Sequence, residues 1–154
     1  MNRAPKHPPR LVPFQKYNSP LWFVTFGTRN RFPILANKSV HDQFISFSRK
    51  NAQKGIAIGR YVIMPDHIHF FIRLAPDCKL GATVGFLKKS LSVILKHNGA
   101  VIPHWQPGFF DHMLRSAPSY SEKWEYVYQN PVRAGLVVTA DEWPYSGQIV
   151  ELRH

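Results

Sequence analysis

An α+β fold is predicted by three observations. Two apolar runs, near 56–64 and 67–74, flank the Pro65-Asp66 turn signal and read as a tight β-hairpin. Stretches at 38–53 and 81–97, one on either side of that hairpin, carry apolar residues at helical spacing. Further strand signals lie at 21–26 and within 101–115, and a last helical stretch follows at about 120–130. The order β-α-β-β-α-β plus one helix is that of a ferredoxin-like sandwich with an additional C-terminal helix.

Each element has a local reason. Leu21-Trp22-Phe23-Val24-Thr25-Phe26 is a β-branched and aromatic run, followed by the basic loop Thr28-Arg29-Asn30-Arg31. In 38–53, Val40, Phe44, Ile45 and Phe47 form the apolar side of a helix closed by Gly55. The helix at 81–97 has a stripe of Val84, Leu87, Leu91, Ile94 and Leu95. Its Lys88, Lys89 and Lys96 project elsewhere, as a solvated face or as a surface turned to phosphates. Pro103 and Pro107 push 101–115 towards a sheet edge or an irregular path. Ser119 and Glu122 have the spacing of a capping box for the last helix, which must end near Asn130 because Pro131 restricts the residue before it. Gly135 offers a left-handed exit.

Composition bounds the function. With 154 residues, one domain is expected over 21–154, preceded by a disordered or extended, basic, Pro-rich arm at 1–20 that is either a featureless tail or a DNA-contacting segment. Twenty Lys and Arg against nine Asp and Glu give a formal charge of +11, which calls for an anionic partner. With 14% aromatic residues, that partner is expected to be nucleic acid rather than a membrane surface, for which no basic amphipathic helix or lipidation motif speaks. Cys78 is the sole cysteine, so a disulfide framework and a multi-cysteine zinc site are excluded. No apolar run approaches the roughly 18 residues of a membrane span, and a cytoplasmic protein is expected.

The hairpin holds the chemistry. Alternation along its second strand puts Ile68, Phe70 and Ile72 on one face and His67 and His69 together on the other. Two imidazoles on one rigid strand can fix two corners of a coordination sphere, but from spacing alone a metal site and a structural pair stand about even. The first two helices cover the isoleucine face, so the last helix is the natural element to cross the histidine face.

That last helix reads Tyr126-Val127-Tyr128-Gln129-Asn130-Pro131-Val132-Arg133-Ala134-Gly135-Leu136-Val137. Together with Met64-Pro65-Asp66-His67-Ile68-His69, it resembles the single-tyrosine HUH transposases, and among them the REP-associated tyrosine transposases. Trp105-Gln106 with Phe109-Phe110-Asp111-His112 and Arg115, and then Trp143-Pro144-Tyr145-Ser146, resemble that family in the same order, across roughly 21–146. The resemblance implies an enzyme that nicks and joins single-stranded DNA beside hairpins such as repetitive extragenic palindromes, through a 5′-phosphotyrosine. It implies Tyr126 as nucleophile and His67, His69 and Asn130 as ligands of Mg²⁺ or Mn²⁺. Arg29, Arg31, Lys88, Lys89, Arg115 and Arg133 are the expected DNA contacts, and the oligomeric state is monomer or homodimer.

The residue types suit that chemistry. A cation on the non-bridging oxygens offsets the charge that protects a phosphodiester from attack. A tyrosine, with a solution pKa of about 10, needs positioning and polarisation to attack. Tyr126 and Tyr128 differ by about 200° around a helix, so only one faces a given site, and Tyr126 shares its face with Asn130. Two rival readings remain open on residues alone. One is a non-catalytic single-strand binding module on the same fold. The other is a metal-dependent hydrolase using water, with Tyr126 a structural aromatic.

Overall fold

The computed structural model describes residues 19–154, so the expected basic arm lies, apart from Ser19 and Pro20, outside the described residues. Five strands form one antiparallel sheet: β1 (Leu21–Gly27), β2 (Ile56–Ile63), β3 (His67–Leu74), β4 (Phe110–Leu114) and β5 (Ser146–Gln148), in the order β4-β1-β3-β2-β5. The helices are α1 (Lys38–Asn51), α2 (Leu80–His97), α3 (Ala117–Tyr128) and the single turn α4 (Asn130–Arg133). The β4-β1-β3-β2 core with α1 and α2 is the ferredoxin-like sandwich that the sequence predicts.

Register decides which side chains share a face. β3 pairs with β1 so that Thr25 lies opposite His69, Phe23 opposite Phe71 and Gly27 opposite His67. The intervening residues Ile68, Phe70 and Ile72 point the other way and are fully buried. Phe44 of α1 meets Phe70 edge-on at 6.2 Å between ring centres. Gln43 of α1 donates to Ser90 Oγ of α2 at 2.8 Å, which ties the two covering helices together. Helix α3 crosses the opposite face, where Phe71 packs against Tyr120 at 4.9 Å and Trp124 at 6.1 Å.

One local expectation is corrected, one is met, and one strand is new. Helix α3 starts three residues earlier than expected, because Ser116 rather than Ser119 is its N-cap, and Ser119 is its reciprocal partner in place of Glu122. Ser119 N donates to Ser116 Oγ at 3.1 Å and Ser116 N to Ser119 Oγ at 3.2 Å, while Pro118 sits in the first turn, where no N–H is needed. The strand expected within 101–115 is β4, on the edge beside β1, where Pro103 and Pro107 were expected to push it. Before it the chain runs irregularly, touching the sheet through a Thr28–Trp105 bridge and the Gln106 N–H on Gly27 O at 3.0 Å. Strand β5 was unannounced, since Ser146-Gly147-Gln148 has neither β-branched residues nor alternation. It pairs because Gly147 lets the backbone close on Tyr61, whose Oη would lie 2.9 Å from an added Cβ.

Candidate active site

The site lies at the end of the sheet where β3 begins, and its histidines are oriented from behind. His67 Nδ1 donates to Asp66 Oδ1 at 2.7 Å, and Asp66 Oδ2 accepts from Arg31 Nε at 2.8 Å. Burial pushes the Asp66 carboxyl up, but the hydrogen bond and charge of His67 and the neighbouring Arg31 outweigh it and hold it below its usual value. Asp66 is therefore a carboxylate, which only accepts, so His67 Nδ1 is the donor of that bond and Nε2 faces forwards. His69 Nδ1 is paired with Thr25 Oγ1 at 2.7 Å, directly across the ladder. Burial, then the charges of His67, Lys123 and Arg133, lower the His69 pKa to about 3, so the His69 ring is neutral at pH 7. Backing of this kind sets tautomer and aim in metal-binding histidines.

Both Nε2 atoms converge on Asn130. Its Nδ2 lies 3.0 Å from His69 Nε2 and 3.4 Å from His67 Nε2, while its Oδ1 accepts from Arg133 at 3.4 Å. Asn130 reaches this point because α3 breaks one residue before it. Pro131 has no N–H for the Val127 carbonyl, so α3 stops at Tyr128 and a separate turn starts at Asn130. Gly135, at φ 75°, ends that turn in the left-handed conformation expected of it.

The two neighbouring tyrosines are separated as helical geometry requires. Tyr128 packs against Trp124 with ring centres 5.1 Å apart, on the side of α3 where Trp124 meets Phe71. Tyr126 is 64% exposed, and the Arg133 guanidinium sits 3.8 Å over its ring. Arg133 thus touches both Tyr126 and Asn130, which links the phenol to the histidine cluster.

The expected DNA contacts scatter. Arg31 and Arg133 border the site, and Arg31 lines each of three clefts that meet there. Asn30 and Arg31 hold left-handed φ values of 54° and 56°, a strained pair kept in place by contacts around Thr28 and Asp66. Arg29 lines the outer cleft with Trp105. Lys88 donates to the carbonyls of Gln106 at 3.2 Å and Gly108 at 2.7 Å, and burial lowers its pKa. Its charge is thus directed at the 106–108 loop. Lys89 is exposed on α2, the helix that covers the opposite face, and Arg115 follows the far end of β4, beside Leu21.

Sequence reasoning passed over Thr25, Asp66 and Lys123. Asp66 could have been found, because it immediately precedes His67. Lys123 sits on α3 one turn before Tyr126, with its ammonium 5.2 Å over Phe23 and close enough to depress His69. Thr25 gives no signal in sequence, since only the β1–β3 register brings it to His69.

Among the described residues no three His, Cys, Asp or Glu side chains gather at one point, and the polar side chain that meets both histidines is the Asn130 carboxamide. Two imidazole lone pairs and a carboxamide, with an adjoining open cleft, form a set able to hold a divalent cation and leave room for a ligand. A half-turn of the Asn130 amide brings its oxygen to the histidines.

A ferredoxin-like sheet bearing paired, backed histidines and a tyrosine helix defines a class of DNA-processing domain. Within it, the chain belongs to the family of IS200-like transposases, whose family model matches residues 20–129, and it is a transposase. It is 27% identical over 126 residues to the REP-associated tyrosine transposase of Escherichia coli (strain K12), covering 81% of this chain and 74% of that protein. A Haemophilus influenzae protein is 30% identical over 97 residues, and the chain spans about half of it, 54% of its length. Among solved structures, the REP-associated tyrosine transposase bound to a REP hairpin superposes with TM-score 0.68 at 25% identity, over 95% of this chain and 82% of that one. A protein from Deinococcus radiodurans R1, at 17% identity and TM-score 0.50 over 82% and 95% of the two chains, shares the fold.

Proposed function

We propose that the chain nicks and rejoins single-stranded DNA beside imperfect hairpins of the REP type, with Tyr126 as nucleophile. The observation that carries this reading is the convergence of His67, His69 and Asn130 at the end of the helix that bears Tyr126. Its partner follows from the +11 charge and from the hairpin held by a structural relative. The site of action is the compartment that holds such DNA, the cytoplasm. No helix among the described residues is long and apolar enough to cross a membrane.

The Tyr126 oxygen attacks the scissile phosphorus, a Tyr–O–P bond forms, and the P–O3′ bond breaks. The phenol proton leaves to solvent and the departing 3′ oxygen takes one up. The phosphotyrosine keeps the energy of the diester, so the reverse attack by a 3′-OH rejoins strands without a nucleotide cofactor. Mg²⁺ or Mn²⁺ on His67, His69 and Asn130 would offset phosphate charge, and the nitrogen-rich donor set suits Mn²⁺ better. Asp66 and Thr25 hold the two imidazoles in place. Arg133 and Lys123 supply fixed positive charge beside the point of attack, and Arg133 restrains the Tyr126 ring.

The test is a labelled hairpin with single-stranded flanks, incubated with protein and Mn²⁺ or Mg²⁺ and run on an SDS gel. An SDS-resistant adduct that excess EDTA removes is expected. Binding without any adduct would leave a single-strand binding module instead.

A further inference from the structure

The open cleft beside the histidines, of about 520 Å³, extends well past them to Gln106 and Phe110. Its lining follows from register. On β1, Thr25 pairs with His69 on one side and with Phe110 of β4 on the other, so these three side chains share one face in one row. Phe110 thus stands two strand spacings from His69, roughly 10 Å across the sheet. It is 62% exposed, a large apolar ring left to solvent on the site's own face.

The next row holds Gly27, opposite His67. No left-handed φ demands glycine here. A Cβ would instead project towards the cleft floor, 3.3 Å from Asp66 O, 3.7 Å from His67 Cβ and 3.9 Å from Gln106 Oε1. The missing side chain leaves a gap between Phe110 and His67. Gln106 borders that gap, with its backbone N–H anchored on Gly27 O and its carbonyl clamped by Lys88. Lys88 therefore orders the wall of the cleft from beneath, and Arg31 closes the far rim.

We propose that this cleft is a slot for one unpaired nucleobase of the DNA strand, the one adjoining the phosphate that Tyr126 attacks. Phe110 is its stacking platform, the Gln106 carboxamide reads its polar edge, and Gly27 keeps its floor clear. An aromatic face accepts any base, whereas a carboxamide carries one donor and one acceptor arm and matches adenine best. The slot makes Phe110 and Gln106 the residues that choose where, relative to the hairpin, the strand is cut. The inference rests on the proposed single-strand substrate and adds to it the position of a single base.

The test is a cycle between protein and DNA. Full-length Tyr126→Phe binds hairpins whose single-stranded flank carries an abasic site at one position at a time, with and without Phe110→Ala, followed by fluorescence anisotropy. In the Tyr126→Phe background one flanking position should weaken binding about tenfold when its base is removed. Phe110→Ala should weaken intact DNA by a similar factor, and the abasic site should then add less than twofold. Phe110→Trp, which keeps a platform, should restore the sensitivity. Two independent penalties that multiply, or a flank with no sensitive position, would overturn the slot and leave the hairpin reading standing. Loss of hairpin binding by Tyr126→Phe on intact DNA would overturn both.

Discussion

The sheet has two faces that do different work. On the α1/α2 face, Phe26, Phe44 and Phe70 pack edge to edge, and Ile68 and Ile72 are sealed from solvent. On the other face α3 covers only one end, through Tyr120, Trp124 and Phe71, and the end with His67, His69 and Gly27 opens into clefts. The closed face makes the strands rigid, which keeps paired imidazoles in register on the open face. The open face gives up burial and leaves the Nε2 atoms of His67 and His69 beside Asn130 and an open cleft. Close packing therefore lies on one side of β3 and the candidate site on the other, residue by alternate residue.

The comparison is broken most severely on the open face. Tyr126→Phe is expected to eliminate the covalent adduct while hairpin binding persists, and Tyr128→Phe, which loses only a hydroxyl beside Trp124, should keep substantial activity. An adduct that survives the first change and vanishes in the second would reverse the assignment of the two tyrosines. Replacing His67 or His69 with Ala should abolish cleavage as well.

The closed face is tested by thermodynamics. Phe70→Ala should cost about 3–5 kcal/mol in urea unfolding, since the cavity lies between two packed layers. His69→Ala, one residue away on the opposite face, should cost no more than about 1 kcal/mol. Equal losses would mean that the histidines are part of the core. A smaller effect is expected behind the site. Asp66→Asn should keep the fold and reduce Mn²⁺ affinity roughly 10- to 100-fold, measured by calorimetry, because the carboxylate aims His67. The smallest effects separate the two sides by salt. Arg133→Ala should lower the slope of log affinity against log salt by about one phosphate contact, whereas Lys89→Ala on the helical side should scarcely change it. An equal effect of Lys89 would put DNA on the closed side too.

Much of the architecture was legible without coordinates. Period-two alternation in 67–74 assigned Ile68, Phe70 and Ile72 to one face and the histidines to the other, because a strand's side chains can do nothing else. The helical angle between residues 126 and 128, and the stop signal at Pro131, separated the tyrosines in the same way. The helix start was misread by three residues because two serine pairings were locally acceptable. The choice fell to Ser116, whose hydroxyl and backbone N–H both pair with Ser119.

Local pattern determined faces, turns and the succession of elements, each being a matter of neighbours within a few residues. Tertiary structure alone decided which faces meet. Thr25 backs His69, Phe110 shares their row, and Lys88 clamps the loop of Gln106 instead of standing free. Those neighbours are set by strand register and by the packing of α3 over the sheet. Both bring together residues dozens of positions apart, at distances that no local periodicity encodes.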